Sequence, residues 1–183
     1  MKFKPGTSTL YVGHDGGIST TSNSGSSWNH ISDGFNITQY YKMSTSQQRP
    51  DLVIGGSQDN STHIMRGTVW EVPFGGDGMD CQMHNAKPNI FFTSIYYGTI
   101  YRTTNSGANF STISNNIPGG PTGDWVTPFA LCTADNDIIV AGYQKVYASQ
   151  DNGTTWTAIS PNIVSGSSYI KKIAIADQNP NYI

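Results

Sequence analysis

One eight-residue pattern occurs three times in this chain and constrains its fold more than any other feature. It occupies residues 21–28, 103–110 and 149–156, and the last copy reads Ser-Gln-Asp-Asn-Gly-Thr-Thr-Trp. Asp or Asn side chains can bond backbone N–H groups across a turn, and Gly accepts a positive φ without steric cost. The pattern therefore predicts a tight hairpin in which the closing aromatic residue anchors the departing strand.

Four positions define each copy of the pattern: a Ser or Thr, an Asp or Asn, a Gly and an aromatic residue. We expect these residues to serve the fold rather than an activity. They are Thr21, Asn23, Gly25 and Trp28 in the first copy, Thr103, Asn105, Gly107 and Phe110 in the second, and Ser149, Asp151, Gly153 and Trp156 in the third. The three aromatic residues are predicted to pack in equivalent positions between neighbouring sheets.

A second pattern gives the period of the repeat. A turn of the type Pro-Asp/Asn-apolar, or a variant of it, starts at residues 5, 50, 88, 136 and 180. Periods of about 40 to 50 residues with short strands are typical of propeller blades. The segments between turns are rich in β-branched and aromatic residues and lack a 3.6-residue apolar spacing, which disfavours helical repeats. The sequence predicts an all-β fold, a β-propeller of four-stranded antiparallel blades with about four blade-equivalents, in a single domain spanning residues 1–183.

Three blades can be assigned completely, the first of them starting near residue 37. Their strands are predicted at residues 40–43, 52–55, 63–65 and 69–72; at 79–83, 90–93, 99–102 and 110–113; and at 126–133, 138–141, 146–148 and 156–159. The first predicted strand of the chain, 9–12, is a second strand, and the last, 169–175, is a first strand. The sequence therefore predicts a partial or half propeller, and three arrangements stay open: the two ends join into a fourth blade, two copies exchange C-terminal strands in a homodimer, or the chain is a piece of a longer one.

Charge and composition exclude several classes of function. The net charge is −2 and the pI is about 6.0, and the longest basic cluster is Lys171-Lys172, so we expect no nucleic-acid partner. No apolar run is long enough for a membrane span. The four histidines are scattered, and the pair Cys81 and His84 is interpreted as structural, so we expect neither a metal nor a cofactor. Cys81 and Cys132 are predicted to be buried free thiols.

Propeller topology predicts where a ligand would bind. The loops between strands 2 and 3 and between blades lie on one face, around the mouth of the channel. Aromatic rings stack on the apolar faces of sugars while Asp and Gln side chains bond hydroxyl groups, so this face is a candidate glycan site. Loops of a polar β protein are rich in the same residues, and an ordinary surface is the alternative. The ligand-binding candidates are His14, Asp15, Gln58, Asp59, Asp77, Tyr96, Tyr97, Trp125 and Tyr143.

A glycoside hydrolase would need two carboxylates about 5 to 9.5 Å apart across a cleft. Four acidic residues on the same face are candidates, and their spacing selects no pair. They are Asp15, Asp59, Asp77 and Asp124.

The three repeated turns resemble the Asp-box, also called the BNR repeat. Segments 13–18, 34–41, 55–60 and 75–81 are similar to large secreted Asp-box propeller proteins of Bacteroidetes-type bacteria, which are related to sortilin-type and xyloglucanase-type propellers. The resemblance implies a recognition module of a secreted or cell-surface protein that binds a glycan or a protein partner at the channel mouth. Alternatively, the resemblance implies a xyloglucanase-like glycoside hydrolase that uses a pair of Asp carboxylates and whose active site is incomplete in this segment.

Overall fold

The computed structural model describes residues 1–35, 38–177 and 179–183. Asn36, Ile37 and Gln178 lie outside the described residues, and so does the predicted start of a blade near residue 37. The described residues form four antiparallel sheets of four strands each, as the repeat period predicts. The chain divides into two compact units, Met1–Gln39 with one sheet and Tyr40–Ile183 with three.

The first unit contains a complete four-stranded sheet. Its strands are β1 (Lys2–Phe3), β2 (Leu10–His14), β3 (Gly17–Thr21) and β4 (Asn29–His30), in that order across the sheet. β1 pairs with β2 in the register Lys2↔Tyr11 and Phe3↔Leu10. The prediction that the chain begins at a second strand is wrong, because β1 precedes β2 and pairs with it as its inner neighbour after the turn through Pro5 and Gly6.

The second unit contains three sheets whose strands follow one another along the chain and pair in sequence order. The first has β5 (Tyr40–Ser46), β6 (Arg49–Ser57), β7 (Ser61–Arg66) and β8 (Val69–Glu71). The second has β9 (Gly78–Met83), β10 (Phe91–Ile95), β11 (Thr99–Thr103) and β12 (Ser111–Thr112). The third has β13 (Phe129–Leu131), β14 (Ile139–Gly142), β15 (Val146–Ser149) and β16 (Thr157–Ala158). Every one of these strands overlaps a strand predicted from the sequence.

Residues 169–175 form no strand, which corrects the prediction of a first strand there. The segment is held instead by single contacts such as the hydrogen bond from Ile170 N to Tyr143 O, 2.8 Å long. Because β2 has its own inner neighbour and residues 169–175 are not a strand, the reason for predicting strand exchange between two copies is removed.

The core of the second unit lies between its sheets. Adjacent residues of a strand face opposite sides, so Phe91 and Phe92 of β10 enter two different apolar clusters. Phe91 packs with Leu52, Ile54 and Ile64, and Phe92 lies in the cluster that contains Ile139 and Trp156. The middle sheet is therefore covered on both faces. Cys81 and Cys132 are free and buried, as predicted.

The three repeated turns share one hydrogen-bond pattern. The first hydroxyl of each, on Thr21, Thr103 or Ser149, donates to the Oδ1 atom two residues later at 2.8 to 2.9 Å. The same hydroxyl accepts the N–H of the turn glycine at 2.8 to 3.1 Å. The predicted equivalence of the aromatic residues holds only in part: Trp156 is buried and Phe110 is partly buried, but Trp28 is exposed.

Candidate ligand-binding site

Six of the predicted ligand-binding residues come together in the second unit. They lie on four connecting segments: the β6–β7 turn, the connection between β8 and β9, the segment that follows β10 and the segment that precedes β13. These residues are Gln58, Asp59, Asp77, Tyr96, Tyr97 and Trp125. Topology predicted this grouping because loops of equivalent type in successive blades lie side by side.

Four aromatic side chains form what we call the aromatic surface: Tyr41, Tyr96, Tyr97 and Trp125. Tyr96 stacks on Trp125 with ring centroids 5.5 Å apart and an interplanar angle of 12°. Tyr97 meets both rings edge-on, at 5.5 and 5.4 Å. Trp125 Nε1 donates a 3.2 Å hydrogen bond to the hydroxyl of Tyr41. Tyr41, Tyr97 and Trp125 are exposed, so the cluster presents ring area to solvent.

Tyr97 is held in an unusual backbone conformation. It lies in the short 3₁₀ segment Tyr96–Gly98 with φ 61° and ψ 25°, in the left-handed region. A bulky residue in this region costs about 1 to 3 kcal/mol, and such strain concentrates at ligand sites. This backbone conformation places the exposed Tyr97 ring beside Trp125.

Polar groups border the aromatic surface. The hydroxyl of Tyr41 donates to Gln58 Oε1 at 3.2 Å, and the Asp59 N–H donates to Asp77 Oδ1 at 2.5 Å. Gly76, next to Asp77, lies against Tyr96: a Cβ added there would be 3.6 Å from its ring. Amide, carboxylate and hydroxyl groups therefore lie next to the exposed rings.

Three predicted ligand-binding residues are not part of this group. Tyr143 is fully buried, and its hydroxyl donates a 2.6 Å hydrogen bond to Gly98 O. The prediction of a binding role for Tyr143 is wrong, since its ring supports the 3₁₀ segment from beneath. His14 and Asp15 belong to the first unit, where both are exposed and His14 Nε2 lies 3.0 Å from Ser19 Oγ.

A cavity of about 560 Å³, which we call the charged cavity, contains Asp124 together with charged residues that the sequence did not suggest. Lys42 Nζ lies 3.0 Å from Asp80 Oδ2, and Lys171 Nζ lies 2.6 Å from Asp124 Oδ2. Its lining residues are Tyr41, Lys42, Asp80, Asp124, Val126, Pro128, Phe129, Lys171, Lys172 and Ile173. Tyr41 belongs to both features, so the charged cavity and the aromatic surface adjoin.

Asp80 is the most deeply buried carboxylate of the charged cavity. Burial raises its pKa above the ordinary value, while the nearby Lys42 ammonium acts in the opposite direction. Its Oδ2 pairs with Lys42, but its Oδ1 has no hydrogen-bond partner among the described residues. The alternation of apolar and polar residues along 79–83 was the available sequence signal, because it sets Asp80 on the opposite face from Cys81.

The described residues contain neither a metal-binding cluster nor a membrane-spanning helix. No group of three or more His, Cys, Asp or Glu side chains is placed to hold a metal ion. No described helix has the length and apolar character required to cross a membrane.

No protein-family model matches the sequence, and no curated protein matches it. Solved structures do match its fold. An ancestral GH74 enzyme aligns with a TM-score of 0.54 at 14% identity over 85% of this chain and 23% of its own. The GH74 xyloglucanase of Xanthomonas campestris aligns with 0.54 at 13% over 85% and 29%. YCF48 from Cyanidioschyzon merolae aligns with 0.50 at 14% over 87% and 53%.

These likenesses concern the fold. The four antiparallel four-stranded sheets and the matches to propeller proteins confirm the predicted fold class, a partial β-propeller. The chain spans about a quarter of the two GH74 enzymes and about half of YCF48.

Proposed function

We propose that this chain is a glycan-recognition module of a secreted or cell-surface protein, and that the aromatic surface is its binding face. The observation that carries the proposal is the cluster of Tyr96, Tyr97 and Trp125, in which a strained backbone holds an exposed ring. Rings of this kind bind the C–H faces of sugars, and their exposure in water is otherwise unfavourable.

The groups that border the rings support the same proposal. Sugar hydroxyls need both donors and acceptors, and Gln58 and Asp77 supply them beside the aromatic surface. A small number of polar groups around an apolar face is the usual composition of a small-molecule site. A protein partner is the alternative ligand of the aromatic surface.

The repeated turns and the binding face have separate roles in this proposal. We assign the three turns as Asp-boxes that stabilise the blades, while the binding residues come from other loops. The secreted or cell-surface location follows from that assignment and from the resemblance to exported propeller proteins. It predicts that the protein is recovered from an extracellular or cell-envelope fraction.

Binding tests the proposal directly. We expect the full chain to bind a subset of plant or microbial polysaccharides on a glycan array. Tyr97→Ala and Trp125→Ala should each weaken binding about tenfold, since the loss of a stacking ring costs about 0.5 to 1.5 kcal/mol beyond the area that it buries, and tenfold corresponds to about 1.4 kcal/mol. Trp70→Ala is the matched control, because Trp70 and Tyr97 are both 52% exposed and Trp70 lies on β8, outside the aromatic surface. Absence of glycan binding, or equal loss in the control, would contradict the proposal.

A glycoside hydrolase is the second candidate, and one observation favours it. Asp80 and Asp124 line the same cavity, and Asp80 has the buried environment that raises the pKa of a general acid. Hydrolysis assays on the polysaccharides that bind would separate the candidates. Turnover that is abolished by Asp80→Asn or Asp124→Asn would favour the enzyme. Turnover that is abolished by Asp59→Asn or Asp77→Asn would also favour it. Binding without turnover would favour the module.

A further inference from the structure

The charged cavity differs in chemistry from the aromatic surface beside it. Val126, Pro128 and Phe129 give it an apolar wall, and its volume falls within the range of small-ligand sites, about 300 to 1,000 Å³. Three lysines and two aspartates supply its charges. Such a composition fits a ligand group that is both compact and ionised.

The lysines outnumber the carboxylates. Lys42 and Lys171 are paired with Asp80 and Asp124, whereas Lys172 forms no ion pair with any described carboxylate. With every group ionised the cavity therefore carries one net positive charge.

The lysines are also the groups that an incoming ligand meets first. The side chains of Lys42 and Lys171 are 48% and 69% exposed, against 8% and 21% for those of Asp80 and Asp124. An ammonium at the solvent side of an ion pair keeps donors free for a second acceptor, because each carries three N–H groups. The entrance of the cavity is therefore cationic and the carboxylates lie behind it.

Sequence and contacts place the cavity next to the proposed glycan-binding face. Tyr41 lines the cavity and also bonds Trp125, and Asp124 directly precedes Trp125 in the chain. One extended ligand could therefore occupy both features at once, with a ring on the aromatic surface and its neighbour in the cavity.

We propose that the charged cavity binds the carboxylate of a uronic-acid residue in the glycan that stacks on the aromatic surface. This inference rests on the proposed function and names its ligand class, an acidic rather than a neutral polysaccharide. Lys172 and Lys171 contact the carboxylate, while Lys42 stays paired with the buried Asp80 behind them.

A matched pair of ligands tests the inference. Oligogalacturonides and the same oligomers with methyl-esterified carboxyl groups differ in charge but share a backbone. By calorimetric titration of the full chain, the free acid should bind about tenfold tighter at low salt, and the difference should shrink at about 0.5 M salt, where charges are screened within a few ångströms. Lys172→Gln should abolish the preference, and Lys145→Gln, which removes a lysine outside the cavity, should leave it unchanged.

The outcomes distinguish this inference from the proposed function. If neutral glycans bind through Trp125 and both oligomer forms bind equally, the proposed function stands and the uronate inference fails. If no glycan binds at all, both fail. A peptide with a free C-terminal carboxylate that binds where its amidated form does not, in the absence of any oligogalacturonide binding, would overturn the inference by assigning the cavity to a peptide.

Discussion

The first and third repeated turns have nearly the same local structure and very different surroundings. In both, the leading hydroxyl bonds the Asx side chain and the glycine N–H, and the Asx Oδ1 accepts the N–H four residues later, from Ser27 at 2.9 Å or from Thr155 at 2.8 Å. Their aromatic residues differ: Trp28 is 49% exposed and Trp156 is 6% exposed.

The difference separates what a turn specifies from what its neighbours add. Trp156 Nε1 donates to Ile113 O and Gly153 O, both at 3.1 Å, and Arg102 donates to Asn152 O at 2.8 Å. Arg102 lies on β11 and Ile113 directly follows β12, so the third turn is joined to the preceding sheet. The eight residues encode a hairpin, and the adjoining sheet decides whether its aromatic residue becomes part of the core.

The largest effect should come from the aromatic position. Trp156→Ala removes a buried ring and its hydrogen bonds, and we expect a loss of about 3 to 5 kcal/mol in the free energy of unfolding. Trp28→Ala, its matched control, should cost less than about 1 kcal/mol because the ring is half exposed. Urea unfolding followed by circular dichroism measures both. Equal losses would show that the two aromatic residues are equivalent after all.

A smaller effect should come from the turn glycine. Gly153 and Gly25 have φ of 83° and 87°, so a β-branched residue at either position is strained by about 1 to 3 kcal/mol. At Gly153 an added Cβ would also collide with the side chain of Ile113, whereas at Gly25 it would meet only Trp28, at 3.9 Å. Gly153→Val should therefore destabilise more than Gly25→Val, by about 1 kcal/mol or more. The same urea titration compares them, and a larger loss at Gly25 would contradict the crowding argument.

The distinction between local turn chemistry and packing between sheets also explains which parts of the fold could be predicted from the sequence. The strands of the second unit were predictable because turn chemistry and apolar runs are local signals. β1 cannot be predicted in the same way, because its two residues, Lys2 and Phe3, are too few to carry a periodic pattern. The failure at residues 169–175 has the opposite cause: their apolar and aromatic residues suit a strand, but no ladder partner adjoins them in the structure.

The sequence could predict which face of the propeller carries the candidate site, but not the role of each side chain in it. Loop type placed Tyr96, Tyr97 and Trp125 together, since it depends on topology alone. The roles of single side chains depend on packing between sheets, which sequence spacing does not report. Loop type therefore assigns Tyr143 to the surface although it is buried, and it does not show that Asp80 lines the charged cavity.

The smallest effect should come from the Asx position, where the first turn has Asn23 and the third has Asp151. Asn23 Nδ2 donates to Ser27 Oγ at 2.8 Å, while Asp151 Oδ2 accepts from Thr155 Oγ1 at 2.7 Å. Asp151→Asn can therefore keep the contact with the donor reversed. We expect it to cost less than about 1 kcal/mol at pH 7, because the carboxylate lies near the surface.

The charge of Asp151 should nevertheless be visible in the pH dependence of that small difference. Burial by itself would raise the pKa of Asp151, but hydrogen bonds from Thr155, Ser149 and Thr154 outweigh it, and the pKa is lowered. A carboxyl whose pKa is lower in the folded state stabilises the fold above its unfolded value, about 3.9, and that stabilisation is lost as the pH falls through the folded value. The difference between the parent chain and Asp151→Asn should thus shrink from pH 6 to pH 3. Comparing the two chains at each pH cancels the parallel effect of Asp137, whose pKa is also lowered, by hydrogen bonds from Lys87, Asn152 and His84.

The reciprocal change Asn23→Asp should introduce the same pH dependence into the first turn, and a difference that stays constant across this range for both variants would show that the turns do not distinguish the carboxylate from the amide.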